Sequence, residues 1–153
     1  NSIPDHLLID VIDYSHIQDG PGIMLIAHEG QISLDNENNL PGLLYLRTSY
    51  IEGDFQKRFE FVFATLLHTA KLLHNNEIGT NIDFETKAFR FIANDRLLAE
   101  NNEDNQSIFS KTFNEILEKN YPDAKWVIED YSAMDERLAF TIKFQDDTDI
   151  IIN

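Results

Sequence analysis

The sequence predicts an α+β fold, a two-layer sandwich in which a mostly antiparallel sheet of about five to six strands carries two helices on one face. Three observations favour it. Short segments alternate apolar and polar residues, and two longer segments repeat apolar residues every three or four positions. The order of elements is β-β-β-α-β-α-β-β, in which the strands come in runs. The chain has 153 residues, a length typical of one domain, so residues 1–153 are interpreted as a single domain.

The first part of the chain predicts three strands with short connections, and therefore an antiparallel meander. These strands are Leu7–Ser15, Ile23–His28 and Leu43–Arg47. The segment Gln31–Asp35 extends the second strand past a bend at Gly30. In the first strand, Leu7, Ile9 and Val11 line one face at period two, as successive residues of a strand point to opposite faces.

Two helices are predicted from their apolar periodicity. The first begins after Asp54, whose carboxylate can accept free N–H groups of the first turn. Its wide aromatic stripe consists of Phe55, Phe59, Val62, Phe63, Leu66, Leu67, Ala70 and Leu73. The second follows a polar loop, Glu100–Gln106, with Ser107 as its cap, and Pro122 stops it.

Three further strands are predicted in the second part of the chain. They are Phe84–Ala93, Trp126–Tyr131 and Leu138–Phe144. The last is the clearest amphipathic strand, because Leu138, Phe140, Ile142 and Phe144 alternate with smaller or polar residues. The tail, residues 146–153, is interpreted as a short edge strand or a frayed end.

Charge and composition exclude several classes of protein. The formal net charge is −15 and there is no cysteine, which excludes a disulfide framework, a thiolate metal site and a cysteine nucleophile. An acidic surface repels phosphate backbones and anionic membranes, so neither nucleic-acid nor membrane partners are expected. No apolar run approaches the ~20 residues of a membrane-spanning helix. We therefore expect a soluble, cytoplasmic protein without a cofactor.

The segment DYSHIQDGPGIMLIAHEG, residues 13–30, concentrates polar side chains around a Gly-Pro-Gly turn. Its candidate catalytic residues are His16, Asp19, His28 and Glu29, which could serve a hydrolase-like enzyme. If the flanking strands pair around the turn, His28 lies about 20 Å from it, beside the start of the first strand and not beside His16. No metal site is therefore expected on the two histidines. Glu29 and His28 would point to opposite faces of a strand unless the next residue forms a bulge.

Two candidate ligand-binding residues lie on the first predicted strand. Asp10 stands among apolar residues, where an unpaired carboxylate would be costly. A salt bridge to Arg47 or Arg90 is the structural interpretation, and a pocket carboxylate with a raised pKa is the functional one. Tyr14 falls on the same strand face as Asp10.

A second group of candidate ligand-binding residues follows directly on the fourth predicted strand. An aspartate beside an arginine can brace a loop, and it can also help bind a carboxylate in bidentate fashion. Bracing is the expectation that we favour. The residues are Asn94, Asp95 and Arg96.

Calcium binding is a weaker alternative suggested by the acidic composition. Asp35, Glu37 and Asn39 have the one-three-five spacing of a calcium loop. However, Leu40 and Leu46 stand where such a loop needs glycine and a bidentate glutamate. An EF-hand is therefore excluded, and only weak surface binding by the aspartates of the tail stays open.

A joint pattern of motifs resembles an uncharacterised bacterial family. Its members carry a similar Asp-Tyr-Ser-His, Gly-Pro-Gly turn, His-Glu, Leu-Asp and Gly-Leu-Leu-Tyr, found here in LLIDVIDYSHIQDGPGIMLIAHEGQISLDN and GLLYLR. A second similar patch is FIANDRLLAENNEDNQSIF, residues 91–109. The resemblance covers nearly the whole chain. The family has no established activity, so the resemblance implies no role for any residue, and its members have further residues before the stretch that starts here.

The residues favour a non-catalytic binding or assembly module, because aromatic residues are ample and no recognisable reactive constellation accompanies them. Exposed sheet edges could pair two copies into a homo-oligomer. A hydrolase-like enzyme that uses the polar hairpin stays open as the alternative, and a calcium-binding protein as a weaker one.

Overall fold

The computed structural model describes residues 3–17, 20–35, 42–74, 84, 86–130 and 135–150. Backbone contacts divide the chain into two compact units, residues 1–85 and residues 86–153. The elements of the first unit are β1 (Leu8–Asp13), β2 (Ile23–Ala27), β3 (Gly30–Asp35), β4 (Gly42–Arg47) and α1 (Phe55–His74). Those of the second are β5 (Ala88–Ile92), α2 (Glu103–Asn120), β6 (Trp126–Asp130) and β7 (Ala139–Phe144).

The first unit contains an antiparallel sheet in the order β1-β2-β3-β4. Each strand pairs with the next in sequence, as Asp13 with Ile23 and Ile32 with Tyr45. The predicted antiparallel meander is therefore confirmed. Helix α1 packs against β4. Leu66 of the helix belongs to a core cluster built on the buried side chains of Ile32 and Tyr45.

The meander has one strand more than the sequence predicted. The segment interpreted as an extension of the second strand is a strand of its own, β3, which runs back along β2. The reversal occurs at His28 and Glu29. The carbonyl oxygen of Glu29 accepts the N–H groups of Thr48 and Ser49 at 3.0 and 3.1 Å. This tie to the end of β4 is a long-range contact, which the local apolar pattern does not reveal.

The α+β class, the two helices and the antiparallel pairing are confirmed, but the single sheet is wrong. A second sheet, in the order β5-β7-β6, lies in the second unit. Each sheet has its own helix, so the prediction of two helices on one face of one sheet is also wrong. Strand periodicity shows which face is apolar and not which strands are neighbours, so it could not separate one sheet from two. The single-domain interpretation stays a prediction.

Helix α1 begins as the sequence predicted. The carboxylate of Asp54 accepts the N–H of Lys57 at 2.9 Å, and its carbonyl oxygen accepts the N–H of Arg58 at 3.1 Å. These bonds satisfy donors that lack a partner within the helix. The aromatic stripe stacks along the helix, with the rings of Phe59 and Phe63 5.4 Å apart. Among the described residues, no helix combines the length and apolarity needed to cross a bilayer.

The core of the second unit is an aromatic cluster between α2 and the sheet. The rings of Phe91 on β5 and Phe140 on β7 each lie 5.3 Å from that of Phe113 on α2. The apolar face predicted for the last strand is confirmed, although Ala139, on the opposite face, is buried as well. All four side chains of the predicted face are buried, namely Leu138, Phe140, Ile142 and Phe144.

Helix α2 begins five residues earlier than predicted. Its cap is Asn102, whose side-chain oxygen accepts the N–H of Asn105 at 2.9 Å, so Ser107 lies inside the helix. The first turn is acidic, with Glu103 and Asp104, and negative charge there complements the helix dipole. The segment Glu100–Gln106 was predicted to be a loop because it is polar. The first turn of an amphipathic helix needs no apolar residue, so polar composition does not exclude a helix there. The helix ends at Asn120, before Pro122, as predicted.

Candidate functional site

The hairpin of β1 and β2 separates its two histidines. Asp13 pairs with Ile23 near the turn. At the opposite end, the N–H of His28 donates to the carbonyl oxygen of Leu7 at 2.9 Å. His16 follows the turn end of β1, so roughly 17 Å of strand, about five residues, lies between the two side chains. The predicted position of His28 beside the start of the first strand is confirmed, and one metal ion cannot bind both histidines.

The turn of this hairpin depends on Gly22. Its φ is +62°, and a Cβ there would collide with the carbonyl oxygen of Leu34. Tyr14, a candidate ligand-binding residue, closes the turn through its backbone, because its N–H donates to Gly22 at 2.8 Å. The Tyr14 side chain is half-buried. Asp19, a candidate catalytic residue, lies outside the described residues.

The structure brings two candidate catalytic residues together, His28 and Glu29. Both lie in the turn between β2 and β3 and not on a strand, and Nδ1 of His28 is 3.7 Å from Oε1 of Glu29. The other carboxylate oxygen accepts the N–H of Leu7 at 2.8 Å. This bond is the main cause of a lowered pKa at Glu29. The carboxylate is therefore held as a brace between β1 and the turn, which favours its structural interpretation.

A buried polar cluster next to this turn was missed by the sequence analysis. Nδ1 of His6 lies 2.7 Å from the carbonyl oxygen of Pro4, and Nε2 lies 2.8 Å from the hydroxyl of Tyr45. A carbonyl can only accept, so in the neutral imidazole Nδ1 carries the hydrogen and Nε2 accepts from Tyr45. Nη1 of Arg47 donates to the same hydroxyl at 3.4 Å. Burial raises the pKa of Tyr45, and Arg47 opposes that rise.

No motif spacing could have identified this cluster. His6 and Tyr45 are 39 residues apart, and β-strand pairing through two other strands brings them together. The local sequence shows only that His6 and Tyr45 are each a polar residue beside apolar ones, and this does not predict that the two side chains are in contact. Because His6 is 5% exposed and Tyr45 8% exposed, we interpret the cluster as structural.

The side chain of Asp10 does not have the buried surroundings that the sequence predicted. Its side chain is exposed, so the expected buried carboxylate and its salt bridge to Arg47 or Arg90 are wrong. Arg47 instead donates from Nε to the carbonyl oxygen of Ser49 at 3.1 Å and lies over the ring of Phe61 at 5.2 Å. Arg90 belongs to the second unit. An exposed carboxylate needs no buried partner, because water solvates it.

The outer edge of β1 carries a carboxylate on one of its backbone donors. Tyr14 donates its N–H to Gly22, so by strand alternation the N–H groups of Val11 and Asp13 face away from β2. The N–H of Val11 instead donates to Oδ1 of Asp10 at 2.8 Å. We call this bond the Asp10 latch. It occupies a donor that would otherwise be available to another strand.

A second carboxylate acts near the end of the same edge. The side chain of Asp13 accepts the N–H of Ser15 at 2.8 Å. Hydrogen bonds from Ser15 are the main cause of the lowered pKa of Asp13, and the charge of His16 adds to them. The edge of β1 is therefore acidic as well as apolar.

The apolar residues on and beside β1 are exposed. The exposed fractions are 65% for Leu7, 63% for Ile9 and 58% for Val11. Leu8, on the alternate position, is 48% exposed. Helix α1 packs against β4, the strand at the other edge of the sheet. The register of β1 on β2 also shifts between Leu8 and Asp10, so the predicted period-two alternation from Leu7 to Val11 is interrupted there.

Two of the three candidate ligand-binding residues of the second unit, Asn94 and Asp95, brace a turn. Oδ1 of Asn94 accepts Nη1 of Arg137 at 3.0 Å. Oδ1 of Asp95 accepts the N–H groups of the second and third residues after it, at 2.8 and 3.2 Å. The side chain of Arg96 is exposed. Asn94 and Asp95 thus brace the turn, but through Arg137 and backbone N–H groups and not through the neighbouring Asp-Arg pair that the sequence suggested.

The same turn displays two adjacent leucines. Leu97 is 95% exposed and Leu98 is 82% exposed. Single exposed apolar residues are common on protein surfaces. Two adjacent exposed leucines on a hydrogen-bonded turn are less common. The second unit therefore has an apolar surface of its own.

The aspartates of the tail hold backbone groups and one lysine. Asp146 accepts the N–H groups of Lys125 at 2.8 Å and Thr148 at 3.1 Å, and hydrogen bonds led by Thr148 lower its pKa. Asp147 forms an ion pair with Lys87 at 2.9 Å. Within the described ranges, no three histidine or carboxylate side chains are arranged to hold a metal ion.

No family model, curated protein or solved structure matches this chain.

Proposed function

We propose that the protein is a non-catalytic binding module, and that an extended segment of another protein docks along the outer edge of β1. The observation that carries this proposal is the exposure of four apolar side chains on and beside this outer strand, Leu7, Leu8, Ile9 and Val11. An edge strand offers unpaired backbone groups to another chain, and exposed side chains on both of its faces add contact area.

Pairing of two copies through β1 is less favourable than docking of a different protein. Two copies would bring Asp10 and Asp13 of one chain near the same residues of the other. Like charges opposite each other destabilise a strand pair. Light scattering after size-exclusion chromatography at high micromolar concentration separates the two forms of assembly. A dimer that Val11→Pro abolishes would favour self-pairing.

The docking proposal is tested by nuclear magnetic resonance. The ¹⁵N-labelled chain is titrated with a neutral extended peptide, acetyl-TVTVT-amide, and the amide shifts are expected to concentrate at residues 8–13. Val11→Pro should abolish them, because proline has no N–H to donate. An outer strand tolerates proline where the N–H faces away from the ladder. Val11→Thr, which keeps the N–H and the β-branch, is the control, and shifts that survive Val11→Pro unchanged would contradict the proposal.

A hydrolase-like enzyme is the second candidate, and the proximity of His28 and Glu29 is the observation that favours it. Against it, His16 lies at the far end of the hairpin, and a strongly held carboxylate is a poor proton acceptor. Hydrolysis of a panel of p-nitrophenyl esters by the wild type, lost in His28→Ala, would support the enzyme.

Calcium binding is the weaker proposal, and calorimetry with CaCl₂ at physiological ionic strength tests it through saturable heat.

Membership in the resembled bacterial family and a cytoplasmic location also stay proposals. The motifs quoted above support the first. The absence of cysteine is compatible with the second. Neither decides between a binding module and an enzyme.

A further inference from the structure

From the charges along β1 we infer the chemistry of the docked segment: two basic residues that flank two apolar ones, Lys/Arg-Φ-Φ-Lys/Arg, where Φ is apolar. This inference rests on the proposed docking function. It concerns the outer edge formed by Asp10, Val11, Ile12 and Asp13, which we call the D-V-I-D edge.

The order of side chains on this edge defines the pattern. Successive residues of a strand point to opposite faces, so Asp10 shares a face with Ile12, and Val11 shares the other with Asp13. A strand laid beside the edge places each of its residues opposite one of these, on the same face. Each aspartate is therefore matched by a basic residue and each apolar residue by an apolar one. The pattern is the same read in either direction.

The Asp10 latch gives the basic residue a second role. The N–H of Val11 donates to Oδ1 of Asp10 at 2.8 Å, so a partner carbonyl must displace a carboxylate to bond with this N–H. A lysine or arginine opposite Asp10 provides the displaced carboxylate with a new partner. A neutral segment offers no such compensation. The latch therefore weakens the binding of neutral strands, including those of other copies, relative to the binding of basic ones.

The charge of the whole chain agrees with a cationic partner. A formal net charge of −15 attracts any basic peptide at long range, and salt screens that attraction. Net charge alone cannot distinguish the order of residues within the peptide. The order is what the D-V-I-D edge specifies, so the test must hold peptide charge constant.

Two peptides of identical composition provide the test, acetyl-TKVVKT-amide and acetyl-TVKKVT-amide. The first places lysines opposite Asp10 and Asp13, and the second places them opposite Val11 and Ile12. Calorimetric titration of the full chain at about 0.15 M salt, which limits non-specific ionic binding, is expected to give a Kd roughly tenfold lower for the first peptide. That factor corresponds to two matched charge pairs on an exposed edge.

Charge reversal is the matched control. The double variant Asp10→Lys with Asp13→Lys should lose its preference for acetyl-TKVVKT-amide and bind acetyl-TEVVET-amide instead. Both positions are exposed, and urea unfolding verifies that the variant folds. The isosteric pair Asp10→Asn with Asp13→Asn, which removes the charges but keeps acceptor oxygens, should bind the two lysine peptides equally.

The outcomes separate the inference from the function on which it rests. Equal binding of the two lysine peptides to the wild type, lost in Val11→Pro, would overturn the charge pattern and leave docking at β1 intact. Absence of binding by these peptides and by the neutral acetyl-TVTVT-amide would overturn both. A preference for the first peptide that reverses with the charges of Asp10 and Asp13 supports both.

Discussion

The hydroxyl oxygen of Tyr45 lies 2.8 Å from Nε2 of His6, and this hydrogen bond ties the segment before β1 to β4. The two rings also meet edge to face, with centroids 5.5 Å apart. Because His6 donates from Nδ1 to the carbonyl oxygen of Pro4, every polar atom of its ring has a partner. The start of β1 is thus positioned by a contact that crosses the sheet.

Removal of the Tyr45 hydroxyl should destabilise the first unit. Tyr45→Phe removes the hydrogen bond between the buried side chains of residues 6 and 45, and the loss of one partner of a buried hydrogen bond costs about 1–3 kcal/mol. Urea unfolding should show a loss of that order in the free energy of unfolding. Tyr50→Phe is the control, because Tyr50 is 76% exposed. Equal stabilities of the two variants would show that the His6–Tyr45 bond contributes nothing.

Gly30 should not tolerate a side chain. A Cβ at this position would lie 2.7 Å from the carbonyl oxygen of Leu46 and 3.0 Å from Cε2 of Tyr45, and the backbone oxygen cannot move aside. Gly30→Ala is expected to cost about 1–3 kcal/mol, as overpacking does. Gly42→Ala is the matched control, because no atom of the residues that the structure describes lies within 4 Å of a Cβ at Gly42. Thermal unfolding of both variants measures the difference, and an unchanged Tm for Gly30→Ala would contradict the expectation.

The observed start of α2 can be distinguished from the predicted one by two alanine variants. Asn102→Ala removes the side-chain oxygen that accepts the N–H of Asn105, at a cost of about 1 kcal/mol. Ser107→Ala changes a residue inside the helix, where alanine is the better helix former, and should be neutral or slightly stabilising. Unfolding in urea should therefore rank Asn102→Ala below the wild type and Ser107→Ala at or above it. The reverse order would restore Ser107 as the cap.

Acid should destabilise the protein partly through Glu29. Its pKa is lowered in the folded state because the N–H of Leu7 bonds to its charged form. Its stabilising contribution is therefore present above the unfolded value near 4.5, and it is lost as the pH falls through the lower folded value. Urea unfolding from pH 7 to pH 3 should show a smaller acid-induced decrease in Glu29→Gln than in the wild type.

The control for this pH dependence is Glu118→Gln, at an exposed position of α2. This variant also removes one carboxylate, so it corrects for the change in net charge. If the two variants lose the same amount of acid sensitivity, the bond between Glu29 and Leu7 is not its source.

Whether the sequence could predict a feature of the site depends on how far apart in the chain the interacting residues are. The cap at Asp54 and the alternation from Leu138 to Phe144 were predicted because they depend on neighbours within one turn or one strand. The position of His28 was also predicted, because a short turn fixes the register of the hairpin. The cap of α2 is also a local feature, but it was predicted wrongly, because Asn102 and Ser107 are both good caps.

The sequence by itself determined the α+β class, the two helices and the antiparallel pairing of consecutive strands. Only the tertiary structure decided that the strands form two sheets, that β1 lies at an exposed edge, and that His6 bonds to Tyr45. Periodicity reports which side of an element is apolar. Which element covers that side is decided by contacts between residues far apart in the chain, and these leave no local pattern. For that reason the periodicity of Val11 and Ile9 could not show that both lie on the surface that we propose for binding.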